Sequence, residues 1–218
     1  MLFDLGGTLI RTAEVPEIFS RILEAHGIKA DPSRILEAHK ANEKEFDIAA
    51  CLIESGMAFW SNWNMVIIKS LGIEEDAQFL AKKITELWWD YADLQFHPDV
   101  ANTLAQLKAK QVKMGIVTNG LKEDYERALQ KLGATGCFDV TVGIDSCNSA
   151  KPDRRIFLYA VEKLRLRPSD VLFIGDSVEK DYEGARRAGL KSLLIDRKGK
   201  ASKDIDSIKS LTEVLRYF

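Results

Sequence analysis

The sequence is short of the features that would settle its class at once. It has three cysteines, Cys51, Cys137 and Cys147, with no close pair and no Cys-x-x-Cys spacing. That suggests neither a disulfide framework nor a zinc site and fits reduced thiols in a cytoplasm. Charge of one sign is lacking too: 31 basic residues stand against 33 acidic ones, a net of −2, which gives no field to draw nucleic acid or an anionic membrane. No apolar run approaches the ~20 residues of a membrane span, and no basic region leads into a signal-type stretch. The three histidines, His26, His39 and His97, have no mutual spacing that suggests a metal site. Structural or solvated roles are expected for them, with His97 as a hinge residue before the second half. The expectation is a soluble, cytoplasmic protein with no nucleic-acid or membrane partner.

At 218 residues the chain can bury one sizeable core with an insertion, or two small domains. Its second half alternates strand-like and helix-like runs, the pattern of parallel βαβ units. The spacing predicts strands over Leu2–Leu5, Lys113–Val117, Val140–Val142, Val171–Ile174 and Ser192–Ile195. It predicts helices over Pro98–Lys110, Lys122–Leu132, Asp153–Leu164 and Lys180–Ala188, the last stopped by Gly189, with further caps or breaks at Gly133, Pro168 and Gly184.

From about Glu14 to Gln95 the pattern is helical throughout, broken only near Gly27–Pro32, Gly56 and Gly72. The predicted organisation is therefore an α/β core of residues 1–13 and 96–218, interrupted by a helical domain over residues 14–95. That insertion carries Trp60, Trp63, Trp88 and Trp89, expected as packing rather than as ligand-stacking groups. The string Ser20–His26 recurs as Ser33–His39, a single recurrence on two adjacent helices and not a repeat array. The basic stretch Arg197–Lys203 has no interleaved aromatics and reads as a solvated loop.

Hydrophobic runs end on Phe3-Asp4-Leu5-Gly6-Gly7-Thr8, Val117-Thr118-Asn119-Gly120, Ala150-Lys151-Pro152-Asp153 and Ile174-Gly175-Asp176-Ser177, the last followed by Asp181. Strands that stop on an acid, a hydroxyl and a second acid would place all three on one edge of a parallel sheet, where open α/β proteins build their sites. Singly, each segment also reads blandly: strand-end acids, a Thr-Asn-Gly turn, a Pro-Asp helix start, a first-turn acid answering the helix dipole. Jointly they suggest chemistry. If Asp4, Asp176 and Asp181 meet, three carboxylates face one ammonium, Lys151, and such a set stays ionised only with a cation. Mg²⁺ suits hard oxygen ligands and keeps positions for water and substrate. A carboxylate beside it can attack phosphorus and form an aspartyl-phosphate, splitting one difficult hydrolysis into two steps. Asp4 is the candidate nucleophile. The Thr118 hydroxyl, the amides of Asn119 and of the Gly6–Gly7 turn, and the Lys151 ammonium are candidates to hold the phosphoryl oxygens.

These residues resemble the haloacid dehalogenase (HAD) superfamily, whose four motifs are read here as Asp4-Leu5-Gly6-Gly7-Thr8, Thr118-Asn119, Lys151-Pro152 and Gly175-Asp176-Ser177-Val178-Glu179-Lys180-Asp181. The resemblance covers nearly the whole chain. It implies a doubly wound, Rossmann-like parallel sheet with the first strand in the middle, and an inserted helical bundle acting as a cap that selects the substrate. It further implies Asp4 as nucleophile and Mg²⁺ ligand, the carbonyl of Gly6 as a second ligand, Asp176 binding the metal directly and Asp181 directly or through water. Thr118 and Lys151 would hold the phosphoryl group.

One position departs from that pattern. Family phosphatases usually carry a second aspartate two residues after the nucleophile, where this chain has Gly6. Positioned acid/base catalysis is worth about 10²- to 10⁴-fold, so an ordinary sugar phosphate should turn over slowly unless another group, for example one from the cap, replaces that aspartate. The expected function is an Mg²⁺-dependent phosphohydrolase, monomer or homodimer, acting on a small phosphate ester or anhydride. Gly6 keeps two alternatives open: a metal-free 2-haloacid dehalogenase-like hydrolase, and a non-catalytic phosphate-binding protein.

Overall fold

The structure is a computed structural model and describes residues 1–217. Strands β1 (Leu2–Phe3) and β2 (Ile10–Arg11) open the chain, followed by helices α1 (Val15–Ala25), α2 (Pro32–Glu45), α3 (Ile48–Ser55), α4 (Ala58–Ser70) and α5 (Ala77–Tyr91). After β3 (Gln95–Phe96) come α6 (Val100–Ala109), β4 (Gly115–Val117), α7 (Lys122–Lys131), β5 (Val140–Val142), α8 (Arg154–Leu164) and β6 (Leu172–Gly175). A π-helical turn (Val178–Glu183), α9 (Gly184–Arg187), β7 (Lys191–Ile195) and β8 (Ser207–Ile208) complete the main elements. The chain forms two compact units, one of Met1–Arg11 with the residues from Gln95 onward, the other of Thr12–Leu94.

The first unit is a six-stranded sheet in the order β5-β4-β1-β6-β7-β8, with every pairing parallel. β1 is internal because its residues are apolar on both faces: Leu2 and Phe3 are wholly buried, and Leu2 lies opposite Gly115 on one side and Phe173 on the other. Helix α8 shows how the flanking layer is specified. Asp153 caps it by accepting from the Arg155 N–H at 2.9 Å. Ile156, Phe157, Ala160, Val161 and Leu164 then fall on one face and are buried, and Arg165 ends the helix at φ +54°. Phe157 meets Phe173 of β6 edge-to-face at 5.0 Å, and burying such a ring contributes about 1.5–3 kcal/mol relative to exposure.

The predicted helix over Lys180–Ala188 is not one helix but the π-turn followed by α9, and the two meet at Gly184, which caps the π-turn and opens α9. The antiparallel pair β2–β3 and the edge strand β8 were not legible, being two residues each.

In the second unit, α1 buries Ile18, Phe19, Ile22 and Leu23, and Asp31 caps α2 ahead of Pro32, accepting from the Ser33 N–H. Trp63 is buried among Phe46, Phe59 and His39, while Trp60, Trp88 and Trp89 are half-buried. Trp63 therefore packs as expected. The Asn42 amide donates to the Trp63 carbonyl at 3.2 Å and that of Asn64 to Thr85 at 3.1 Å, tying α2, α4 and α5 together by satisfied polar groups. Among the described residues no helix is long and apolar enough to cross a membrane, and all three thiols are free.

Candidate active site

Asp4 directly follows β1, and its N–H donates to the Ile174 carbonyl at 2.8 Å, so β6 anchors it. The pairing Phe3↔Ile116 brings the end of β4, and with it Thr118, alongside. β6 itself ends on Gly175 and hands on to Asp176. Lys151 enters from the segment before α8, and its ammonium donates to Asp4 Oδ1 at 2.5 Å and to Asp181 Oδ1 at 2.7 Å. All three side chains are a tenth exposed or less.

Asp181 stands on the π-turn, a rare geometry often found at functional sites, and its other oxygen accepts from the Ser177 N–H at 3.0 Å. Gly175 makes room for it, since a Cβ there would overlap the Asp181 carboxyl. Gly7 does the same for Asp176: it sits at φ +74°, and a Cβ would collide with the Asp176 carboxyl.

Carboxylate oxygens of Asp4, Asp176 and Asp181 lie within 4.8 Å of one another, with Asp4 and Asp181 buried and Asp176 exposed. Burial, reinforced by the charge of Asp181 and opposed by Lys151, raises the Asp4 pKa to about 6. Burial and then the same neighbour raise Asp176. Burial works against the Lys151 ammonium, but Asp4 and Asp181 outweigh it and hold its pKa above the usual value. One ammonium thus leaves the trio short of positive charge, and an all-oxygen donor set of this kind fits a hard divalent cation.

Thr118 is buried, with its hydroxyl oxygen accepting from the Gly120 N–H at 3.2 Å. The Asn119 side chain is spent on the backbone of Lys151: Nδ2 donates to its carbonyl at 2.9 Å and Oδ1 accepts its N–H at 2.7 Å. Only the main chain of Asn119 is left for a ligand. Gly6 is exposed, and a Cβ on it would meet no atom within 4 Å.

Lys198, Lys200 and Lys203 of the basic stretch are exposed as expected of a solvated loop, but Arg197 is only 22% exposed and is paired. It donates to the Thr8 carbonyl at 3.0 Å and to Asp99 Oδ2 at 2.8 Å, so it braces the turn that follows the Asp4 strand. Burial pushes Asp99 up, but hydrogen bonds from Arg197, the Leu211 N–H and Ser210 prevail and hold it at about 2. Asp99 stands at the N-cap position of α6 without capping it. Nothing local in the sequence signals this, because its partners lie 98 and 112 residues away.

The haloacid dehalogenase-like hydrolase family matches residues 1–189. A glyceraldehyde 3-phosphate phosphatase of Methanopyrus kandleri is 28% identical over 92% of this chain and 84% of its own length. An (S)-2-haloacid dehalogenase 1 of a Pseudomonas species is 26% identical over 90% and 83% respectively. A crystal structure of a HAD phosphatase from Thermococcus onnurineus superposes with a TM-score of 0.64 at 25% identity, covering 99% of this chain and 95% of that one. With the acid, lysine and hydroxyl of this sheet edge in place, these matches make the chain a member of the haloacid dehalogenase-like hydrolases.

Proposed function

We propose that this hydrolase is an Mg²⁺-dependent phosphohydrolase that acts on a small phosphorylated metabolite through an aspartyl-phosphate on Asp4. The observation that carries the reading is the buried Lys151 ammonium shared by Asp4 and Asp181 with Asp176 beside them, an acid excess that a phosphoryl site needs a cation to balance. Asp4, Asp176, Asp181 and the Gly6 carbonyl are the proposed ligands. When bound, Mg²⁺ neutralises charge that builds on the phosphoryl oxygens.

The chain's own groups do the rest. Lys151 takes up Oδ1 of Asp4, which leaves Oδ2 to attack phosphorus in line as the bond from phosphorus to the substrate's bridging oxygen breaks and that oxygen departs with the electron pair. The Thr118 hydroxyl and the main-chain amides of Asn119 and Gly7 receive the phosphoryl oxygens, so catalysis is positioning and electrostatics. Water then attacks phosphorus and restores the Asp4 carboxylate. The helical unit of residues 12–94 is the proposed source of substrate selection, and the protein is proposed to work in the cytoplasm.

The test is phosphate release from p-nitrophenyl phosphate and a panel of phosphorylated metabolites with Mg²⁺ and with EDTA, for the wild type and Asp4→Asn. Mg²⁺-dependent release abolished by Asp4→Asn is expected. No release from any compound sinks the reading.

A second reading, a dehalogenase, is favoured by Gly6 and by the likeness to the (S)-2-haloacid dehalogenase. It calls for halide displacement at carbon by Asp4 without metal, and Asp176 counts against it because a metal-free site gains nothing from a third acid. Chloride release from 2-chloropropionate that survives EDTA would establish it.

A further inference from the structure

The turn that leads from Asp4 to Thr8 cannot be fixed by its own side chains. Leu5 and Thr8 are buried, but Gly6 between them is exposed, with no atom within 4 Å of where its Cβ would stand, and Gly7 sits at φ +74°. Two adjacent glycines give the backbone its greatest freedom, so their placement depends on what grips their neighbours. At one end the Asp4 N–H is tied to the Ile174 carbonyl at 2.8 Å, and Leu9 and Ile10 donate to the Leu5 carbonyl at 2.9 and 3.0 Å.

The other end is gripped from outside the turn. One arm of the Arg197 guanidinium donates to the Thr8 carbonyl at 3.0 Å and the other to Asp99 Oδ2 at 2.8 Å. That carboxylate oxygen also accepts from the Ser210 hydroxyl at 2.9 Å and the Leu211 N–H at 2.6 Å, while the His97 N–H donates to the Leu9 carbonyl at 3.0 Å. Arg197 and Asp99 are mostly shielded from solvent, where charge-assisted hydrogen bonds are strong and hold geometry. Three stretches far apart in the chain, at residues 97–99, 197 and 210–211, thus close on Thr8 and Leu9. The last two lie beyond residue 189, where the match to the family ends.

Resting on the phosphohydrolase reading, in which the Gly6 carbonyl and Asp176 are metal ligands, we propose that Arg197 is a positioning residue of the site, oriented by Asp99. It acts through Thr8. By holding that carbonyl it fixes the direction of the Gly6 carbonyl and keeps Gly7 against the Asp176 carboxyl, which a Cβ on Gly7 would overlap. A turn that drifts at Thr8 therefore disturbs two ligands at once. The planar fork is what spans both acceptors; a lysine keeps a charge beside Asp99 but has a single ammonium on a flexible stem.

The experiment compares the intact wild type with Arg197→Met, Arg197→Lys and Val214→Ala. Val214 is buried in the same C-terminal segment and has no polar group to tie the turn. Mg²⁺ affinity is measured by isothermal titration calorimetry without substrate. Hydrolysis of p-nitrophenyl phosphate gives the half-saturating Mg²⁺ concentration and, at saturating Mg²⁺, KM, and the urea midpoint gives stability. Arg197→Met is expected to weaken Mg²⁺ about 10- to 100-fold, the usual worth of a group that orients a metal ligand, in calorimetry and activation alike, with KM close to that of the wild type. Arg197→Lys recovers more of the urea midpoint than of the Mg²⁺ affinity, and Val214→Ala lowers the midpoint alone. A destabilised Arg197→Met that binds Mg²⁺ as the wild type does overturns the proposal, because the brace is then structural only. Equal weakening in Val214→Ala overturns it too, since any loss of stability would then loosen the site. If Arg197→Met does not fold, wild-type Mg²⁺ affinity in Arg197→Lys overturns it instead. A wild type that neither binds Mg²⁺ nor releases phosphate means that the phosphohydrolase reading itself has failed, a result visible without any variant.

Discussion

The side-chain amide of Asn119 and the backbone of Lys151 bond to each other reciprocally, Nδ2 to the carbonyl at 2.9 Å and Oδ1 to the N–H at 2.7 Å. An asparagine at the end of one strand thus fixes the lysine that arrives 32 residues later. Asn119→Ala leaves that N–H and carbonyl unmatched, at a cost of about 1–3 kcal/mol. Lower stability in urea and a lowered kcat are expected together. A variant with normal kcat would mean that the clamp does not position Lys151 for the reaction.

Lys151→Met removes the side chain bonded to both Asp4 and Asp181 and leaves those carboxylates buried without their cation. Breaking a buried pair from one side costs about 3–5 kcal/mol. If the acidic trio binds Mg²⁺, that ion should raise the melting temperature of Lys151→Met more than that of the wild type. Equal or absent shifts in calorimetry would argue against a metal site at the trio.

Gly175→Ala places a methyl group where the Asp181 carboxyl stands. Overpacking of this kind costs about 1–3 kcal/mol, and here the displaced group is also a proposed ligand. The expected result is a weaker apparent affinity for Mg²⁺ in activation titrations, beyond what an alanine exchange at an exposed residue such as Asn62 produces.

His39 supplies the pH prediction. Its Nδ1 accepts from the Trp63 indole N–H at 3.2 Å, its ring meets Phe19 edge-on at 5.6 Å, and burial lowers its pKa to about 4. Protonation would set an N–H against the indole donor. The unfolded chain takes up this proton at about pH 6.5 and the folded one only near 4. Its contribution is fully present above pH 6.5 and is lost as pH falls from there towards 4. The urea midpoint should drop between pH 7 and pH 5, and His39→Gln should make that drop smaller. An unchanged drop would mean that His39 titrates normally.

Much of the α/β unit was legible because its signals are local. Val140–Val142 appears where expected, and the strands around Gly115–Val117, Leu172–Gly175 and Lys191–Ile195 differ from expectation only at their ends. Each is a short apolar run bounded by turn residues, which a sheet buried on both faces requires. The acids of the candidate site were legible for the same reason, as they end those runs. The brace of Arg197 on Thr8 and Asp99 was not, since an arginine in a basic loop looks the same whether it is solvated or paired with residues 189 and 98 positions away. The ladder β2–β3 was hidden likewise: two residues on each side carry no periodicity.

The sequence by itself determined the order of strands and helices and which residues stand at the strand ends, because hydrophobic period, caps and turn residues act over a few positions. Tertiary structure decided what each residue does there. The heptapeptide that occurs twice makes the point: Leu23 is wholly buried, whereas its counterpart Leu36 is 40% exposed, although Ile22 and Ile35 are both buried. Identical neighbours in the chain produced the same helix, and different neighbours in space produced different burial. Lys151, Asn119 and Arg197 follow the same logic, since charge pairing and desolvation depend on what folding brings near, not on what lies beside a residue in the chain.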